Sequence, residues 1–285
     1  MKNPRLALLI GIFCISVFPI LVKWTPVSGL SSAFYRMAIA SAVVLPIVFF
    51  RKKLERPNQK TVLIIVLCGI CFGCDIAVWN IAIQQSSATQ ATLLTNLAPI
   101  WVGLGMFFFL PNKPNRNFWM GAALAVIGMI VLIGYETFYE LKFDIGFAFG
   151  ILSGVFYAAY ILLSKYVLNQ MQPISFMTYS MLVSSIFLAV ICLIFEQPFY
   201  GFSTTVWGVL MVQGILCQLI AWTLISYATQ KMEANRVSLS LLSQALITSV
   251  FAWLFLKETI SLQMTIGGAI ILLGIRITFY KKKLP

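Results

Sequence analysis

The sequence predicts an all-α membrane protein of ten transmembrane helices, laid out as two inverted five-helix repeats around a central cavity. Three observations predict it. The chain is 60% hydrophobic and only 10% charged, whereas soluble domains carry about 25% charged residues. Ten apolar runs follow one another along its 285 residues, each near the ~20 residues that cross the hydrocarbon core as a helix. Elements of the first half also recur in the second. Cys74-Asp75-Ile76-Ala77-Val78-Trp79 is answered by Cys217-Gln218-Leu219-Ile220-Ala221-Trp222, and Gly121 and Gly128 by Gly267 and Gly274. Five spans separate each element from its echo, and because five is odd the second copy must enter the bilayer upside down.

The spans can be justified in order. Residues 6–22 follow Lys2 and Arg5 and resemble a secretory signal. No small-x-small cleavage site follows them, Lys23-Trp24 does, and further spans lie beyond, so this stretch reads as a retained first helix. Its Pro19, close to Lys23, is a candidate outer gate element. The second span, 31–50, contains Arg36, and the third, 61–83, contains Cys68, Cys71, Cys74, Asp75 and Trp79. Those cysteines have metal-like spacing, but the chain has no histidine to join them. They read as small apolar residues on one helix stripe, and neither metal nor cofactor is expected.

The fourth span, 88–110, carries Thr92, Thr95, Asn96 and Pro99. Proline lacks an N–H and frees the carbonyl four residues back, here that of Thr95. This is either a hinge or a ligand for a bound solute. The fifth span is 118–134, and the acidic segment 135–144 divides a first repeat, 1–140, from a second, 141–285, within one membrane domain. The sixth, 146–168, offers Tyr157 and Tyr160 as wall residues; the seventh is 174–195, and the eighth, 204–228, holds Gln218 and Trp222. The ninth, 237–256, places Ser240 and Gln244 one turn apart, and the tenth is 264–280. Only helices and closed barrels satisfy the backbone in lipid, and runs this long without polar alternation exclude a barrel. Short loops predict that sequential helices are antiparallel neighbours.

Orientation follows from the basic residues. With the N-terminus inside, the inner segments hold Lys2, Arg5, Arg51, Lys52, Lys53, Arg56, Lys60, Lys113, Arg116, Lys165, Lys231, Arg236, Arg276, Lys281, Lys282 and Lys283. The outer segments hold only Lys23, Lys142 and Lys257, so both termini are expected in the cytoplasm. The net charge of +12 therefore belongs to helix ends facing a membrane surface, and nucleic acid is not an expected partner.

Polar residues at membrane depth are the candidate site. Asp75 is the only acid inside a span. An ionisable group there costs at least ~2.5–3.5 kcal/mol and normally faces the bundle interior with a partner. It can bind a cationic group of a solute, titrate a coupling proton, or pair with Arg36, which lies at a similar depth, roughly 8–12 Å below the outer surface by helical rise. Trp79 lies one turn from Asp75, and Trp222 stands in the same relation to Gln218. A polar-plus-tryptophan pair from each half would face one central space, and an aromatic wall with a few polar groups is the usual build of a small-molecule site. Each tryptophan can equally be a packing residue, and each serine a small residue at a helix contact. Asn96 and Gln244 are stronger candidates because they are costlier to bury unsatisfied.

The order and spacing of several stretches are similar to those of the drug/metabolite transporter superfamily, specifically its EamA family. They are Ala33-Phe34-Tyr35-Arg36-Met37-Ala38 in the second helix, Ala91-Thr92-Leu93-Leu94-Thr95-Asn96-Leu97-Ala98-Pro99 in the fourth, and Leu256-Lys257-Glu258-Thr259 before Gly267 and Gly274. The resemblance covers nearly the whole length. Asn112 stands where the second repeat has an acid at the end of its ninth helix, and Ala245 stands where the first has Pro99. The resemblance implies a carrier in the bacterial inner membrane that exports small organic metabolites such as amino acids.

Catalysis would need a nucleophile with a base, paired carboxylates or a metal, and the chain offers no histidine and one buried acid. An enzyme is not expected, nor is primary active transport by this chain alone, since it has no phosphate-binding loop. The expected activity is secondary transport of a small amphipathic solute by alternating access around a central site. Its expected partners are the solute, the lipid bilayer and, as a candidate, coupled protons, with the chain acting as a monomer. Two alternatives are uptake of a cationic or nucleoside-like solute and a membrane binding subunit without flux.

Overall fold

The computed structural model describes residues 3–52, 54–85, 88–134, 144–257 and 259–279. Most of the acidic loop and the basic run at 281–283 lie outside them. Ten helices long and apolar enough to cross a membrane follow in order. They are α1 (Pro4–Lys23), α2 (Gly29–Phe50), α3 (Gln59–Ile83), α4 (Gln90–Phe109), α5 (Arg116–Ile133), α6 (Ile145–Leu168), α7 (Pro173–Ile194), α8 (Thr204–Lys231), α9 (Ala234–Leu256) and α10 (Leu262–Phe279). The chain is a multi-pass membrane protein.

Local chemistry starts several of these helices. Ser28, Asn115, Asp144 and Ser203 each accept a hydrogen bond from a backbone N–H of the first turn of α2, α5, α6 and α8, as N-caps do. Pro4 and Pro173 occupy first-turn positions of α1 and α7, where the missing N–H costs nothing. Large apolar side chains such as Phe49, Phe50, Phe108, Phe109 and Leu193 stay exposed, which suits a surface solvated by acyl chains.

Sequential helices are not the principal neighbours, contrary to the expectation from loop length. The most extensive packing joins α5 to α10, α3 to α6, α2 to α7 and α1 to α8, all across the two halves. Short loops fix direction but not adjacency, and the halves interleave. The packing pairs map onto each other when five is added to each helix number and the count returns to α1 after α10: α3 on α6 becomes α8 on α1, and α4 on α6 becomes α9 on α1.

The echoed glycines are where α5 and α10 cross. A Cβ at Gly121 would lie 2.4 Å from the Gly274 carbonyl, and one at Gly267 would lie 2.7 Å from the Gly128 carbonyl. Hydrogen alone fits at such backbone approaches, the small-residue contact that lets membrane helices pack closely. Rising numbers in α5 meet falling numbers in α10, so the two run antiparallel.

Three helices are interrupted. α1 breaks at Val17, between Pro4–Ser16 and Phe18–Lys23, just before Pro19. α4 breaks between Ala88–Thr95 and Ala98–Phe109, where Pro99 predicted a hinge. α9 breaks at Leu242, between Ala234–Leu241 and Ser243–Leu256, with no proline there. Here the Ser243 hydroxyl donates to the Ser240 carbonyl at 2.7 Å, a local bond that competes with the helix ladder. The Thr248 hydroxyl donates to the Ser16 carbonyl at 3.1 Å, tying the second segment of α9 to the break of α1. The substitution of Ala245 for Pro99 therefore does not remove the interruption from the second half.

A further irregularity lies in α8, where Gln213–Ile220 is a π-helix. Residues five apart on an α-helix point about 140° away from each other, and the wider π turn narrows that angle. Gln213 and Gln218 are both fully enclosed.

Candidate functional site

Five aromatic rings meet in the interior between α3, α6, α7 and α8. Phe72 stacks on Tyr160 with centroids 4.6 Å apart, and Trp222 packs against Phe72 at 4.9 Å, Tyr160 at 5.6 Å and Tyr157 at 6.2 Å. Phe176 stacks on the other side of Tyr160 at 6.4 Å. Tyr157, Tyr160 and Trp222 are thus brought together as the sequence suggested. Trp79 is not, being half-buried and making no ring contact among the described residues. The echo in sequence does not become an echo in the aromatic cluster.

Beside the rings lies a polar chain. The Ser153 hydroxyl donates to Asp75 Oδ1 at 2.6 Å, and Ser153 and Thr95 share a hydrogen bond of 2.9 Å between their hydroxyls. The Thr95 hydroxyl also lies 3.0 Å from the Ala91 carbonyl. This links α3, α6 and the break of α4. Gly154 permits the approach, since a Cβ there would sit 3.1 Å from the Leu94 carbonyl and 3.3 Å from that of Thr95. Ser153 escaped the sequence reading because a lone serine in an apolar helix signals packing. The available sign was its spacing from Tyr157 and Tyr160, which puts all three on one side of α6.

The expected ion pair between Arg36 and Asp75 is not formed. Among the described residues the one ion pair within 4.0 Å joins Arg236 and Glu233. The packing supplies the reason: α2 lies against α7 and α8 and touches α3 little. The two charges remain within electrostatic reach of each other, but each has a nearer partner. Asp75 has Ser153, and the Arg36 guanidinium sits over the Phe18 ring at 4.4 Å from its centroid, a cation–π arrangement.

Several buried polar atoms of α2 and α8 lack a hydrogen bond: Arg36 Nε, Gln213 Nε2, both amide atoms of Gln218, and Trp222 Nε1. Gln213 is anchored on its other atom, accepting from the Ser32 hydroxyl at 2.8 Å. The remaining candidates sit differently. The Ser240 hydroxyl donates to the Arg236 carbonyl at 2.8 Å and is spent locally. Thr92, Asn96 and Gln244 are half-buried beside the two breaks, and their side chains form no hydrogen bond among the described residues. Pro99 is buried at the start of the second segment of α4.

Pro19 and Lys23 line a cavity of about 130 Å³ with Thr248, Ser249 and Ala252 of α9, at the end of the bundle that carries the α1–α2 loop. Ligand sites usually measure about 300–1,000 Å³, so this space is the size of an entrance. The opposite end is tied shut by polar contacts. Lys165 Nζ donates to the carbonyls of Thr229, Gln230 and Met232 at 2.8, 3.0 and 2.9 Å. The Gln230 amide donates to the carbonyls of Leu168 and Met171 at 2.7 and 3.1 Å. Glu55 accepts from the Gln172 N–H at 2.7 Å. The sequence had marked Lys165 only as one of the basic residues of that side.

Comparison with known proteins gives a consistent picture. The model of the EamA-like transporter family matches residues 4–134 and again 144–280. An uncharacterized transporter of Archaeoglobus fulgidus is 25% identical over 88% of this chain and 87% of its own. A second from the same organism is 24% identical over 98% and 97%. The uncharacterized transporter YyaM of Bacillus subtilis is 22% identical over 86% and 82%. One solved crystal structure superposes with a TM-score of 0.83 at 17% identity, covering 98% of this chain and 97% of the other, a likeness of fold.

Proposed function

The chain belongs to the EamA-like transporter family, and from that membership we propose a secondary transporter that exports a small organic metabolite across the bacterial inner membrane. The solute is an amino acid or a related amphipathic molecule, both termini face the cytoplasm, and the mechanism is alternating access. The observation that carries this reading is the interior cluster of Phe72, Tyr157, Tyr160 and Trp222 beside the Asp75–Ser153–Thr95 chain. It joins α3, α4, α6 and α8, so motion of these helices against one another opens or closes it.

The geometry supports a sequence of steps. The Lys165 and Gln230 contacts hold the terminus-bearing end closed, while the cavity beside Pro19 and Lys23 is the beginning of a path at the other end. The breaks of α1, α4 and α9 let one half of each helix tilt while the other stays packed. A solute enters when the aromatic rings part, lies against them, and leaves on the opposite side as the contacts exchange. Asp75 is the candidate for coupling protons, since its carboxylate sits on the same chain of hydrogen bonds as the α4 break.

The test is reconstitution of the purified chain in liposomes, with labelled amino acids, nucleosides and quaternary amines supplied on one side. Counterflow of an amino acid supports the proposal. Flux of nucleosides or amines alone would replace the substrate class, and absence of any flux would leave a binding subunit. Asp75→Asn should keep exchange between equal pools and lose its response to a pH gradient; an unchanged response removes Asp75 from coupling.

A further inference from the structure

Arg36 is buried, at 7% exposure, its Nε has no hydrogen-bond partner, and Asp75, the acid it feels, is not within ion-pair distance. An arginine cannot shed its charge to relieve burial, and a buried charge without a partner is strongly disfavoured. The Phe18 ring compensates only in part. The facing helix α8 carries unspent donors. Gln213 is held by Ser32, which is one turn from Arg36 on the same side of α2, and its Nε2 has no acceptor. Cys217 lies within electrostatic reach of Arg36, Gln218 next to it is 0% exposed with both amide atoms unpartnered, and Trp222 Nε1 one turn on is unpartnered as well. Gln213 and Gln218 both belong to the π-helical stretch of α8.

We infer that Arg36, with Gln213 and Gln218, is the subsite for an anionic group of the transported solute, a carboxylate, whose apolar body lies against Phe72 and Trp222. The inference rests on the transporter reading above and specifies the chemistry of its substrate. A guanidinium fork with amide N–H groups beside it matches a planar carboxylate. One buried cation suits a monoanion: among the buried described residues the cationic side chain is that of Arg36, and the ionisable acid is Asp75.

The experiment measures binding of 3-phenylpropionate, its primary amide and phenethylamine to the detergent-solubilised chain, and their counterflow in liposomes. The chain should prefer the carboxylate over the amide by on the order of 10- to 100-fold, the worth of one charge-assisted contact. Arg36→Gln should remove that preference. Gln213→Glu keeps the acceptor for Ser32 and sets a carboxylate beside the guanidinium, so it should weaken 3-phenylpropionate and spare the amine, and it serves if Arg36→Gln fails to fold. A chain that binds the amide or amine as well as the carboxylate, or a Gln213→Glu variant that binds the carboxylate as the parent does, overturns the inference. Flux of some other solute with no carboxylate preference sinks this subsite and leaves the carrier standing; no flux of any solute sinks the carrier.

Discussion

Replacing Lys165 with methionine keeps most of the side-chain volume and removes the ammonium that three carbonyls at the end of α8 share, at 2.8 to 3.0 Å. Those carbonyls, of Thr229, Gln230 and Met232, belong to the last turn and cap of a helix, where no intrahelical donor reaches them. One ammonium serves all three and water replaces it on opening, so the contacts count as one group, worth about 1.5–3 kcal/mol net. A cation at a helix C-terminus adds about 0.3–1 kcal/mol. The total, about 2–4 kcal/mol, is tens- to hundreds-fold in the balance between closed and open at this end, at about 1.4 kcal/mol per tenfold. Ser226 reports on it: it is 3% exposed and lies one turn deeper than Gln230. In a Ser226→Cys background, Lys165→Met should accelerate modification by a membrane-impermeant maleimide added on the terminus-bearing side, by at least tenfold. Labelling at the parent rate, whether or not the melting temperature falls, would refute the reasoning and reduce Lys165 to a packing residue.

Further expectations follow from the same contacts. Gly121→Ala sets a methyl 2.4 Å from the Gly274 carbonyl, and overpacking of this kind costs about 1–3 kcal/mol; thermal unfolding in detergent at the parent temperature would show that the α5–α10 crossing yields. Ser153→Ala takes from Asp75 its 2.6 Å hydrogen bond, worth about 1.5–3 kcal/mol to a charged acceptor, and Ser153→Thr should recover it in the same melt. Trp222→Ala should lower solute flux several-fold while Trp79→Ala should not, because only Trp222 joins the ring cluster; equal flux from both would remove the cluster from the path. A reporter fused after Lys283 should be active only in the cytoplasm, and periplasmic activity reverses the orientation.

The sequence by itself determined what depends on neighbours along the chain. Apolar length located ten helices, and the observed bounds differ from the expected ones by a few residues at the ends. Pro99 located the break of α4, and small residues at 121, 128, 267 and 274 marked a close contact without saying between which helices. The aromatic identity of the site was legible too, because Tyr157, Tyr160 and Trp222 are bulky, polar-tipped residues in spans that need none. What only the tertiary structure decided is which helix faces which. Acyl chains are as apolar as leucine, so hydropathy does not distinguish a lipid-facing side of a helix from a buried one. Arg36 and Asp75 matched in depth yet sit on helices that scarcely touch, and Ser153, not Arg36, reaches the carboxylate. The π-helix of α8 and the break of α9 have no proline to announce them, and at the α9 break the Ser243 hydroxyl bonds the Ser240 carbonyl. Trp79 and Trp222 share a motif but not an environment, because the cluster is assembled from α3, α6, α7 and α8 and only the second tryptophan points into it.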